Sequence, residues 1–101
     1  MLFMVIEKFR DTQAVYRRAR ERGRMLPEGL RYVNSWVEAS LTRCWQVMEC
    51  EDAALLQEWA GQWKDLVEFE IVPVLTSQQA SETASHPSAS AKPVSLGHLA
   101  K

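Results

Sequence analysis

The chain has 101 residues, 47% of them hydrophobic and 25% charged, so its length allows one globular domain at most. Twelve basic against thirteen acidic groups leave a formal charge of −1, and no overall field draws it to nucleic acid or anionic lipid. The longest apolar run, Met1–Ile6, is too short for a membrane-spanning helix of about 20 residues or for the roughly 7–15-residue core of a secretion signal.

A cytoplasmic location is therefore expected, with neither membrane nor nucleic acid as partner. The two cysteines, Cys44 and Cys50, fall in one predicted strand. Their Cα atoms would lie on the order of 20 Å apart there, too far for a disulfide, which suits a reducing compartment. Both histidines, His86 and His98, fall in a Ser/Ala/Pro-rich C-terminal stretch. The part predicted to fold thus lacks the commonest general base and the usual partner of a Ser or Cys nucleophile. No metal site and no cofactor is expected.

Met1–Phe9 reads as a buried strand, apolar with a charged end. Asp11 is placed to cap a helix running to about Arg22, with Gly23 just past its end. Pro27 and Gly29 mark a loop. Leu30–Ala39 and Arg43–Cys50 are rich in aromatic and β-branched residues and read as a hairpin turned at Ser40–Thr42. Asp52 can cap a second helix to about Asp65, whose Leu55, Leu56, Trp59, Trp63 and Leu66 recur at helical spacing. Val67–Leu75 closes the pattern as a strand. Pro73 cannot donate a ladder hydrogen bond, so this strand belongs at a sheet edge.

The order β-α-β-β-α-β predicts an α+β, ferredoxin-like fold: a four-stranded antiparallel sheet with two helices on one face, over residues 1–75. Residues 76–101 hold six Ser and five Ala and no aromatic, too little apolar surface to offset chain ordering, and predict a disordered tail.

A hairpin pairing Ala39 with Thr42 sets Trp36 opposite Trp45, Asn34 opposite Val47 and Glu38 opposite Arg43 as an ion pair. The other face then carries Val33, Ser35 and Val37 against Met48, Gln46 and Cys44. Both faces hold large or apolar groups. The helices can cover one, and a second copy of the chain is the economical cover for the other, so a homodimer is expected. Trp36 and Trp45 are expected to pack on Trp59 and Trp63 as the core, leaving the Cys44, Gln46 and Met48 face to the second copy.

Candidate sites follow from these placements. Arg17, Arg18, Arg20, Arg22 and Arg24 give residues 1–35 a net charge of +4, against −6 for residues 36–75. With no Gly-rich phosphate loop, they read as a solvated face complementing the acidic second helix rather than a nucleic-acid surface. Glu49, Glu51 and Asp52 read as helix-start acids before acid–base groups. The candidate pocket is Ser35, Val37, Cys44, Gln46 and Met48, with Ile6, and less firmly Met4, from the central strand. Gln46 is the most informative member, because a structural position could use Leu. Gln46→Leu is expected to leave stability nearly unchanged while removing ligand binding.

The chain also resembles a known family. The carriers are Met1, Phe3, Met4 and Val5; Pro27-Glu28-Gly29; Trp36; Glu49 and Asp52; Glu58, Trp59, Trp63, Asp65 and Leu66; and Phe69, Glu70, Pro73 and Val74. In order and spacing these resemble the bacterial domain of unknown function 3303. The resemblance implies a dimeric α/β-barrel of two face-to-face sheets, and no particular activity. Many relatives carry Arg and His where this chain has Ser35 and Val37, which implies a less polar pocket here. The expected function is binding of a small apolar ligand or partner. The alternative is a cofactor-free enzyme of monooxygenase or isomerase type acting on a small organic substrate.

Overall fold

A computed structural model describes residues 1–85. Its elements are β1 (Leu2–Phe9), α1 (Thr12–Arg22), β2 (Arg31–Val37), β3 (Arg43–Glu49), α2 (Ala54–Gly61), β4 (Val67–Val74) and α3 (Ser77–Ser85). The strands form one antiparallel sheet in the order β2-β3-β1-β4. This is the ferredoxin-like α+β fold, with β1 and β3 central and the Pro73 strand at an edge. No helix among the described residues is long and apolar enough to cross a membrane.

Local chemistry sets the helix ends. The Asp11 carboxylate accepts the Ala14 N–H at 3.1 Å, and the Gly23 N–H donates to the Ala19 carbonyl from a φ of 67° that glycine adopts without strain. Asp52 accepts the Ala54 N–H at 2.9 Å. α2 ends at Gly61, short of Asp65. Gln62 and Trp63 then donate to carbonyls three residues back, which tightens the chain into turns ahead of β4. Gly29 must stay small, because a Cβ there would stand 3.0 Å from Leu55 and its φ is 96°.

The hairpin register sets Asn34, Ser35, Trp36 and Val37 opposite Val47, Gln46, Trp45 and Cys44. A bulge lies between Tyr32 and Asn34, so Tyr32, not Val33, stands opposite Met48. Glu38 donates its N–H to the Arg43 carbonyl, but their side chains part. Glu38 accepts from Ser40 and Thr42, while the Arg43 guanidinium lies 5.0 Å from the Trp45 ring centre.

The two sheet faces are the reverse of the sequence expectation. Phe3, Val5, Met48, Cys50 and Val67 face the helices and form the core with Val15, Leu30, Leu56, Trp59 and Trp63. Trp36 and Trp45 point to the free face, and Trp36 is 55% exposed. Counting charges over all four strands supplies the reason. The free face carries Lys8, Arg31, Arg43, Glu49, Glu68 and Glu70, which would be costly to bury beneath helices, whereas the helix-side face carries only Glu7.

The chain after β4 also differs from expectation. Ser77–Ser85 is helical rather than disordered, though it buries no residue. His86, His98 and the remainder of the predicted tail lie outside the described residues.

Candidate functional site

The inward alternation of β1 continues past Phe3 and Val5 to Glu7, which is only 6% exposed. Its backbone stands opposite Cys44 of β3 and Phe69 of β4. The neighbouring Gln46 is equally buried, and its amide Nε2 donates to Glu7 Oε2 at 2.5 Å. A carboxyl and an amide thus sit together at the centre of the sheet, on the side the helices cover.

Above them lies a cavity of about 290 Å³. Its floor is Glu7, Ser35, Val37, Cys44 and Gln46. The rest of the lining is mostly apolar: Phe9 and Val67, paired on β1 and β4, Val15 and Ala19 from α1, and Trp59 and Trp63. Tyr16, Gly23 and Arg24 complete the lining. A small polar floor in an apolar, aromatic enclosure near the lower end of the usual size range has the make-up of a small-molecule pocket.

The loop after α1 is tied down over this cavity. Both indole N–H groups, of Trp59 and Trp63, donate to the Arg24 carbonyl, at 2.9 and 3.2 Å. Trp59 also packs edge-on against Phe69, with ring centres 5.5 Å apart. The Arg24 guanidinium lies 3.6 Å from the Tyr32 ring centre, and the Tyr32 hydroxyl is 2.7 Å from that of Ser35. The aromatic side chains are therefore held at both their apolar and polar ends.

Electrostatics set Glu7 apart. Burial pushes its carboxyl up to about 7, against the opposing pull of the Gln46 hydrogen bond and the Arg24 charge. Burial, together with the negative charge of Glu7, pushes the Cys44 thiol up to about 12, so it stays a neutral thiol rather than a nucleophilic thiolate. Glu7 is therefore the group of this cavity that changes protonation near neutral pH.

Four of the six sequence candidates, Ser35, Val37, Cys44 and Gln46, line this one cavity. It lies between sheet and helices within one protomer, not between two sheets. Met48 faces the helices but is wholly buried in the core. Ile6 and Met4 alternate to the opposite face. Sequence reasoning missed Glu7, reading it as the charged end of a strand. Its signal was the period of two, which sets an acid in phase with Phe3 and Val5. It missed Arg24 and the α1 wall because only tertiary packing brings them over the sheet.

Three of the other charged groups have structural partners. Arg18 makes two bonds to Asp65, at 2.9 and 2.7 Å, and one to the Gln62 carbonyl, joining α1 to the segment after α2. Glu49 pairs with Arg31, and Glu51 with the amino terminus. Cys44 and Cys50 are both free and buried.

The family model described as Domain of unknown function (DUF3303) matches residues 1–87, and the chain belongs to that family. No curated protein and no solved structure matches.

Proposed function

We propose that this DUF3303 member binds a small, largely apolar and planar molecule in the cavity between sheet and helices, as a homodimer in a reducing cytoplasm. One observation carries the ligand reading: the Glu7–Gln46 pair is buried at the floor of an otherwise apolar cavity. A buried acid held well above its ordinary range lowers stability at neutral pH, and groups kept at such a cost concentrate at functional sites. The aromatic walls favour a flat ring, and Glu7 favours a ligand with one hydrogen-bond donor.

The ligand reading is tested with 2-naphthol, a flat apolar molecule with one hydroxyl donor. Tryptophan fluorescence should show saturable binding, weakened at least tenfold in Ala19→Phe, which fills the cavity. Absence of saturable binding, or equal binding by a folded Ala19→Phe, overturns it.

Two features support the dimer. The free sheet face is broadly apolar, with Met4, Ile6, Trp36, Trp45, Val47 and Val72 exposed or half-buried. Its charges are of both signs, Lys8, Arg31 and Arg43 against Glu49, Glu68 and Glu70, so a two-fold partner can answer them. Light scattering should give about twice the 11.6 kDa chain mass, falling to one mass in Trp36→Arg. A wild-type monomer at all concentrations overturns this part. The two free cysteines support the reducing compartment.

A further inference from the structure

Resting on the ligand reading above, we infer that the cavity is a proton-transfer site for carbon acids, with Glu7 as the base and Gln46 as its positioning residue.

A hydroxyl or amine proton exchanges with water unaided, so a held base gains little by removing one. A proton on carbon leaves slowly, and there a positioned, poorly solvated carboxylate makes a difference. Glu7 meets those conditions. It is buried, lines the cavity, and has one oxygen fixed by the Gln46 amide, leaving the other for a substrate. The aromatic walls suit the flat geometry that a carbon acid takes as its charge delocalises. Arg24 lines the same cavity, and its positive charge already acts on Glu7. It is therefore placed to stabilise negative charge forming on a bound substrate.

The substrate class is a small, largely planar β,γ-unsaturated carbonyl compound, whose acidic C–H lies between the carbonyl and a C=C bond. Glu7 takes the proton, and the C–H electron pair moves into a new C=C bond while the carbonyl π pair passes to oxygen. Return of the same proton from the Glu7 carboxyl to another carbon of the delocalised anion restores the C=O bond. The net change is the shift of one hydrogen. Atoms and electrons balance without an oxidant, a reductant or a second substrate.

The groups facing Glu7 leave the proton to this residue near neutral pH. Cys44 from β3 remains a thiol, α1 contributes Tyr16, and the loop after it contributes the cation Arg24. Nearby α2 contributes Trp59, the turn after it Trp63, β4 Val67, and β2 Ser35 and Val37, none of which ionises there.

The probe is 5-nitrobenzisoxazole, a planar carbon acid. Removal of its ring C–H proton sends that electron pair into a C≡N bond while the N–O bond breaks, leaving a coloured phenolate. Wild-type protein should accelerate this by about a hundredfold or more over acetate at equal concentration. The rate should rise with pH through an inflection near 7. Glu7→Gln should lose about a hundredfold or more. Gln46→Leu should move the inflection to higher pH, an effect that a purely structural role would not produce. A wild-type rate equal to that of Glu7→Gln, with 2-naphthol bound by wild type, overturns proton transfer and leaves the ligand reading standing. Loss of 2-naphthol binding by wild type overturns both.

Discussion

Replacing Glu7 by Gln keeps the shape of the side chain and removes its charge, so it isolates what the buried ionisation costs the fold. The native carboxyl titrates at about 7, against 4.5 for the unperturbed group. Between those values the folded protein holds a proton that the unfolded chain has released, so stability falls as pH rises through this window. At about 1.4 kcal/mol per pH unit, the loss comes to about 3 kcal/mol by pH 8. The stability of Glu7→Gln relative to wild type should therefore rise by about 3 kcal/mol from pH 4.5 to pH 8. Any fixed difference in packing between acid and amide drops out of that comparison. Urea unfolding followed by tryptophan fluorescence, at one protein concentration, measures both proteins across the range. For a domain of this size, the corresponding change in melting temperature is on the order of 10–20 °C. A difference that stays constant with pH would refute the reasoning, since Glu7 would then be either solvated or neutral throughout.

Gln46→Leu is now expected to destabilise, contrary to the sequence-based expectation, because the Gln46 amide is what satisfies Glu7; chemical unfolding should show a loss of about 1–3 kcal/mol at pH 8 and less at pH 5, where the carboxyl is neutral. The Arg18 guanidinium holds the Asp65 carboxyl down at about 2 from 3.8, so its contribution is present above pH 4 and lost as pH falls through 2; Asp65→Asn should flatten the acid limb of the melting curve in that window. Deleting residues 76–101 should shift the melting temperature by only a few degrees, since α3 buries nothing; a loss above roughly 2 kcal/mol in the same melt would mean that this segment docks.

The sequence alone determined the first six elements and their order, and local rules explain why. Asp11 and Gly23 bracket α1 by capping, and the Trp36–Trp45 register follows from a short turn and cross-strand pairing. Pro73 marks an edge strand through the donor it lacks. Ser35, Val37, Cys44 and Gln46 could be grouped because residues two apart share a face. Which face that was could not be read from the hairpin, where both sides are apolar. Only β1 and β4, set alongside by the fold, put the charges of Lys8, Glu68 and Glu70 with Arg43 and Glu49 and turned that side away from the helices. The same packing decided the site. Glu7 is a lone acid in a strand until Gln46 lies beside it and Trp59 and Trp63 close over it. Its titration near neutrality is a property of that enclosure, because desolvation depends on what surrounds a carboxyl in space and not on its neighbours along the chain.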